Sequence, residues 1–454
     1  MESVWSEKWP RIPADKRELP KNAEVVVIGG GMAGLLCAYK LKEAGVPAIV
    51  LEADRICSGQ TKNTTAKITS QHGLLYTKLK RDLGEDTAVE YGRLNEWAIK
   101  EFEAIIQKRK IDCDFVWTDA YLYTKLEAGD KVLEKECELA KKAGIAASLV
   151  TETELPFQVR RALKFEEQAQ FHPLKFLSGI VPELDIYEKT RAVKLSGEII
   201  ITDRGEIEAK HIVIATHFPF ANFPGFYFAR MHQERSYVLA VNVNAQKNTN
   251  RELPLEGMYY GIDADGLSFR SADGFVLVGG KSERTGIQQG RNPFDVLRGE
   301  AKRLWPECHE VAAWAAQDCM TLDGLPYIGR FSKSRPNWYV ATGFEKWGMT
   351  NSMIAALAIR DLIAGHGEEK WKCVSPQRKM TPKAFRTLMQ ESAVTMKNFL
   401  TWKKPRCPHL GCRLVWNPYE KSWDCPCHGS RFAEDGALID NPAQRSLDKT
   451  ETEE

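Results

Sequence analysis

The sequence predicts a mixed fold, α/β joined to α+β, with a separate cysteine-rich segment at the carboxy end, and three observations carry that expectation. Val25 to Ile28 is an unbroken β-branched run that passes through Gly29-Gly30-Gly31-Met32-Ala33-Gly34 into helix-like apolar spacing. Short β-type segments dominate 185–216 and 236–280, distant in sequence from that unit. Of 11 cysteines, seven are scattered singly from Cys37 to Cys373, whereas Cys407, Cys412, Cys425 and Cys427 fall within one short segment. Such a local cluster points to a metal or redox site rather than to scattered free thiols.

The elements follow in order. Val25–Ile28 reads as a buried strand, Leu35–Ala44 as a helix, and Ala48–Leu51 as a second strand ending at Glu52. Long amphipathic helices are expected over 85–110 and 131–143, with strand Asp114–Thr124 between them. The run Ile212-Val213-Ile214-Ala215-Thr216 closes the next group of strands. A helix is expected over Pro293–Trp305, then strand Trp338–Thr342, a glycine turn around Gly343 and Gly348, and a helix from Asn351 to Ala364. A Lys, Pro and Arg-rich stretch leads to the cysteines.

Composition bounds the function classes. At 454 residues the chain is about three domains long, or one large composite domain. Its 43% apolar and 27% charged content gives ample core material and argues against disorder. The 63 basic and 61 acidic side chains nearly cancel, so nucleic acid is a poor partner. No stretch approaches the roughly 20 apolar residues of a membrane span. Met1–Lys21 has no apolar signal core, so a cytoplasmic location is the expectation.

Gly29, Gly31 and Gly34 form GxGxxG between a strand and a helix, and Glu52 closes the next strand 18 residues after Gly34. That context makes a weak motif specific and predicts a Rossmann-like dinucleotide site. Gly29 permits the tight turn, Gly31 admits a pyrophosphate to the positive helix end, Gly34 allows close packing, and Glu52 faces a ribose diol. The motif occurs once and Cys57 has no redox partner cysteine nearby, which argues against an NADH-fed reductase.

These pieces resemble the FAD-dependent amine and amino-acid oxidoreductases of the D-amino-acid oxidase and glycine oxidase superfamily. The resemblance covers about 22–375 and includes Ser58-Gly59-Gln60-Thr61, Thr64-Thr65-Ala66-Lys67, the Glu188, Thr190, Val193 strand, Ile214-Ala215-Thr216, Asp323 to Gly329, and Ala341-Thr342-Gly343 through Gly348-Met349-Thr350. It implies FAD held at Thr61, Thr65, Ala66, Val193, Ala215, Thr216, Gly343, Gly348, Met349 and Thr350 as well as at the fingerprint. The last glycine turn would aim a helix amino terminus at the flavin pyrimidine, where negative charge gathers on reduction. It also implies a Rossmann-like FAD-binding domain (22–72, 185–220, 271–375) and a glycine-oxidase-like β-sheet substrate domain (73–184, 221–270). A linker (376–405) would lead to the cysteine segment (406–448).

In that segment, Cys407-Pro408-His409 and Cys425-Pro426-Cys427-His428 offer two thiolates and two imidazoles in pairs. The set suits a Rieske 2Fe-2S centre, and by spacing alone also a tetrahedral zinc knuckle. Leu410-Gly411-Cys412, Gly429-Ser430, Asp435-Gly436 and Asn441-Pro442-Ala443 resemble the Rieske proteins of respiratory and photosynthetic complexes. That resemblance implies a small all-β cluster-binding subdomain, cluster ligands Cys407, His409, Cys425 and His428, a Cys412–Cys427 disulfide, and a hydrogen bond from Ser430 to a bridging sulfide. Phe432 stands where those proteins place a tyrosine, so one donor is missing and a potential in the middle or lower Rieske range is expected. The strands that normally precede the first loop are not evident, so the cluster is expected to lean on the flavoprotein unit or on a substitute base from the linker.

The pairing points to a dehydrogenase that oxidises a small amine or amino-acid-like substrate at a C–N bond and passes electrons to an external one-electron acceptor. The alternative is a redox sensor or electron-delivery protein. The arginine that often clamps the substrate carboxylate in the resembling oxidases has no counterpart in Gln317-Asp318-Cys319-Met320. Asp318 could instead hold a cationic amine, or simply cap a turn. Arg270 is a second substrate candidate, or else a structural partner. Lys67 could act electrostatically beside the flavin or face solvent. His72, His172 and His217 fall in matched segments, where a hydrogen-bonded structural histidine is the ordinary role.

Overall fold

The computed structural model describes residues 2–6, 17–243, 254–287, 290–401 and 405–448. Three sheets organise them. In the first, of eight strands, Asn22–Ile28 lies between Gly205–Ile214 and Ala48–Leu51, parallel to both, with Ile28 level with Ile214 and Leu51. Arg335–Thr342 extends the parallel order on one side and Asp185–Tyr187 on the other. The residues that follow these strands, Gly29, Ala215 and Glu52, therefore emerge at one edge, where the carboxyl ends of a parallel sheet open a crevice.

Two helices cover the sheet, Met32–Glu43 and Gly348–Ala364, both almost wholly buried. A methyl group on Gly34 would stand 1.9 Å from the Gly29 carbonyl oxygen, so helix and strand meet at that distance only through glycine. Helices Glu85–Arg109, Asp130–Lys142 and Pro293–Leu304 fall where the periodicity predicts them.

The second sheet has nine strands. Its path runs His309–Thr321, Met231–Asn242, Phe275–Arg284, Ser268–Ala272, Met258–Gly261, Val116–Thr124, Arg161–Gln170, Lys67–Ile68, with Ala147–Val150 beside Arg161–Gln170. This corrects the expected boundaries. Phe275–Arg284 and His309–Thr321, within the 271–375 stretch assigned to the nucleotide half, pair with Met231–Asn242 in the second sheet. Lys67–Ile68 also joins it, by pairing with Arg161–Gln170.

The third sheet, of four short antiparallel strands, is Val415–Asn417, Ser422–Asp424, Arg431–Ala433 and Leu438–Asp440. Phe432 is fully buried in the small core of this part, with Leu414 and all four clustered cysteines. The stretch expected to be a linker instead holds an 18-residue helix, Pro382–Phe399, capped by the Thr381 hydroxyl, which accepts from the Ala384 N–H. No described helix is long and apolar enough to cross a membrane.

Candidate functional site

A cavity of about 1340 Å³ opens where the first two sheets meet, and the edge of the third forms part of its wall. Gly29, Gly31, Glu52, Thr61, Thr65, Ala215, Thr216, Gly343, Gly348 and Met349 all line it. A β-carbon on Gly31 would meet only the Thr61 hydroxyl, at 3.2 Å, at the start of helix Met32–Glu43, where Gly31 lines the cavity. The Thr61 hydroxyl accepts from the Met32 N–H at 2.9 Å. Glu52 accepts from the N–H groups of Gly30 (2.7 Å) and Asp54 (2.8 Å); burial raises its pKa, and those two bonds oppose the rise.

Four candidates lie elsewhere. Gly34 is spent on helix packing. Ala66, at positive φ, is buried behind the wall, where its carbonyl accepts from Arg270 at 2.8 Å. The Thr350 hydroxyl points at the Thr69 carbonyl and the His72 ring. Val193 is 41% exposed, and its neighbour Ala192 lines the cavity instead, because successive side chains of a strand alternate faces.

Among the expected catalytic residues, Asp318 and Lys67 line the cavity and Arg270 does not. The buried Arg270 guanidinium donates to the carbonyls of Thr65 (2.6 Å), Ala66 and Ser271, fixing the segment that carries Lys67. These bonds match the structural-partner role that the sequence left open for it. Lys67 donates to Ser268 Oγ (2.6 Å) and the Tyr259 carbonyl (3.1 Å). Burial, then the Arg270 charge, brings its ammonium down to about 7. Asp318 accepts from Ser236 Oγ at 3.1 Å, and burial pushes its carboxyl up to about 6 against the pull of Lys346.

The histidines divide. His72 lines the cavity while bonded to Tyr91 and the Thr69 carbonyl and stacked on Trp347. His172 caps helix Pro173–Ile180. His217 lines the cavity as well, and its buried Nε2 makes no hydrogen bond.

The cysteine segment folds as two loops with one hydrogen-bond pattern. Gly411 donates to the Cys407 carbonyl and Cys407 to the Cys412 carbonyl; likewise Gly429 donates to Cys425, and Cys425 to Ser430. The loops bring the His409 and His428 rings to 4.9 Å, edge to face. Both Nδ1 atoms are buried without a hydrogen-bond partner. Buried imidazole nitrogens are ordinarily satisfied. Two orphaned nitrogens, in the two loops that carry the buried Cys407 and Cys425 thiols, form a donor set whose chemistry fits a two-sulfur, two-nitrogen metal centre.

The implied Cys412–Cys427 disulfide is not formed. Both are free thiols, and the sulfurs of Cys412, Cys425 and Cys427 lie within 4.8 Å of one another, in contact but unbonded.

The two sites share a wall, through residues that sequence reasoning missed. Gln233 Nε2 donates to the His428 carbonyl (2.6 Å), and Gln317 Nε2 to the Gly429 carbonyl (2.9 Å) and to Gln233 Oε1 (2.8 Å). The Gln317 N–H donates to Gln60 Oε1, and Gln60 Nε2 to Asp440. Asn441 donates to the carbonyls of Thr216 and Phe218. Gln60, Thr216, Gln317, Asp440 and Asn441 all line the cavity. In addition, His409 Nε2 meets Asn222 Oδ1 at 3.0 Å.

A buried ion pair joins Arg235 of the second sheet to Glu420, in the turn between strands Val415–Asn417 and Ser422–Asp424, and Arg431 adds charge from within the module. Despite burial, the two guanidiniums hold the Glu420 carboxyl below its ordinary range. Gln60, Thr216, Gln317 and Asn441 stand in segments singled out in the sequence, whereas Gln233, Asn222 and Asp440 give no prior signal.

A family model described as FAD dependent oxidoreductase matches residues 24–362, and one described as Rieske [2Fe-2S] domain matches residues 370–451, a span that includes helix Pro382–Phe399. YhfW of Bacillus subtilis (strain 168), whose name describes a Rieske 2Fe-2S iron-sulfur protein, is 32% identical over 98% of this chain and 97% of its own. Gamma-glutamylputrescine oxidoreductase of Escherichia coli (strain K12) is 24% identical over 78% of this chain and 87% of its own. The structure of glycine oxidase from Geobacillus kaustophilus superposes with a TM-score of 0.65 at 17% identity, covering 79% of this chain and 100% of that one.

Proposed function

Since this chain belongs to the FAD-dependent oxidoreductase family and carries a Rieske [2Fe-2S] domain, we propose that it oxidises a small amine or amino-acid-like substrate at a C–N bond and delivers the electrons to its 2Fe-2S cluster. The observation that carries this reading is the shared wall: the loop of His428 and Gly429 is hydrogen-bonded to Gln233 and Gln317, and Gln317 lines the FAD-sized cavity. When bound, FAD supplies two-electron acceptance and the cluster one-electron transfer. Relatives aligned along the flavoprotein part are named for an amine and for glycine, which supports the substrate class.

The chain's own residues then divide the work. Gly29, Gly31 and Glu52 receive the dinucleotide, and Gly343 to Met349 bring a helix amino terminus to the cavity. Cys407, His409, Cys425 and His428 hold the cluster. Arg270 fixes the Thr65–Lys67 segment. Asp318, with Ser236 as its donor, binds the cationic nitrogen of the substrate.

Anaerobic mixing with a panel of small amines tests the assignment, with bleaching of the flavin as the signal. Asp318→Asn removes a charge-assisted bond of about 1.5–3 kcal/mol, so KM for the reactive amine is expected to rise roughly ten- to hundredfold with a smaller change in kcat. With the carboxyl raised to about 6, amine binding by the unaltered protein should strengthen as pH rises through that value, because the ionised form makes the contact. The variant should lack that pH dependence. Flavin bleached by NADH and by no amine would contradict the substrate class.

Asn222 is expected to set the cluster potential. An acceptor on the far nitrogen of a metal-bound imidazole makes that imidazole a stronger donor and favours the oxidised cluster. Asn222→Ala should therefore raise the potential. One hydrogen bond of about 1 kcal/mol corresponds to roughly 40 mV for one electron. Potentiometry showing no shift, or a fall, would contradict the role.

A further inference from the structure

We propose that helix Pro382–Phe399 docks this protein on the surface of an anionic phospholipid membrane. Of its 18 residues only Ala384 is buried. Its inner side is committed to the protein: Glu391 pairs with Arg284, and the Asn398 carbonyl accepts from the Arg413 N–H. Its outer side carries Phe385, Met389, Met396 and Phe399, continued by Leu400, each between 49% and 63% exposed.

At 100° per residue, Phe385, Met389, Met396 and Leu400 fall within about 60° of one another around the helix, so they form one stripe. Large apolar side chains exposed singly on a surface need no explanation, whereas an aligned row marks an interaction face.

The charge around that row selects the occupant. Lys383, Arg386 and Lys397 are exposed on the same helix, while its only acid, Glu391, is turned inward on Arg284. Lys383 pairs with Asp82 of a neighbouring helix, leaving Arg386 and Lys397 to border the stripe. An apolar row bordered by cations and without an anion matches the headgroup region of an anionic bilayer, where apolar side chains enter and cations meet phosphate. A second copy meets this face less well, since apposed helices would bring cation to cation with no acid to pair them. The helix lies on the surface rather than across it, as its polar inner side is occupied.

The full-length protein with both cofactors is floated through a density gradient with vesicles of phosphatidylcholine alone or mixed with phosphatidylglycerol. It is expected to rise with the mixed vesicles and not with phosphatidylcholine, with binding weakened by salt. Arg386→Gln/Lys397→Gln should weaken partitioning about fivefold for each cation removed. Phe385→Glu/Met396→Glu should abolish it while flavin and cluster spectra, and turnover with a soluble acceptor, stay unchanged. Failure of the unaltered protein to bind the mixed vesicles, or equal binding by the Glu variant, would overturn the proposal. So would light scattering that finds a dimer dissolved by the same two substitutions, because a second copy would then cover the face.

Discussion

A Gly31→Val protein is expected to fold, to keep its iron, and to purify without flavin. Gly31 has φ near −85° and ψ near −174°, an extended conformation that valine adopts readily. Its added β-carbon would meet only the Thr61 hydroxyl from within the protein, at the amino end of helix Met32–Glu43, where Gly31 lines the cavity. That is where the pyrophosphate is expected to collect backbone N–H donors. Two such charge-assisted bonds, at about 1.5–3 kcal/mol each, place the loss of FAD affinity at roughly a hundredfold or more.

The contrast with Gly34 separates binding from folding. A side chain there would drive into the Gly29 carbonyl at 1.9 Å, so Gly34→Val should fail to give folded protein at all. Absorption spectra, FAD release on denaturation and iron analysis distinguish the two outcomes. A Gly31→Val protein with full flavin would remove the nucleotide assignment.

What could be read from the sequence was the chemistry that is local in the chain. Gly29, Gly31 and Glu52 come together because each directly follows a strand of one parallel sheet, an arrangement visible as strand, turn, helix and strand. The two thiol and imidazole pairs were legible because ligand type and spacing lie within 22 residues. Pairings between distant segments were not. For Arg270 substrate contact and structural partner both stayed open, because nothing local says that its partners are carbonyls some 205 residues earlier. Val193 missed the cavity by one position, which in a strand is enough to turn a side chain to the opposite face.

The strands Phe275–Arg284 and His309–Thr321 carry no mark of which sheet they join, since an alternating pattern specifies a buried face but not its neighbour. Gln233, Gln317 and Asn222 are ordinary amides in sequence. Their meaning depends on the small module being seated on the second sheet, an outcome of the Arg235–Glu420 pair and of the helix Pro382–Phe399 standing where a flexible linker was expected.

The central claim, that electrons drawn from an amine cross from flavin to cluster, is tested most directly by the order of reduction after rapid anaerobic mixing, with Cys425→Ser as the comparison. Serine removes one of the two buried thiolates that would hold the cluster, so the variant is expected to lack it. The cavity residues that line the flavin site are untouched by the change. In the unaltered protein the flavin absorbance should bleach first, and the paramagnetic signal of the reduced cluster should grow at its expense. In Cys425→Ser the same amine should bleach the flavin at a similar rate, with no cluster signal and little delivery of electrons to a one-electron acceptor. A flavin reduced by amine beside a cluster that stays oxidised, or a variant that reduces the acceptor as fast as the unaltered protein, would contradict the claim.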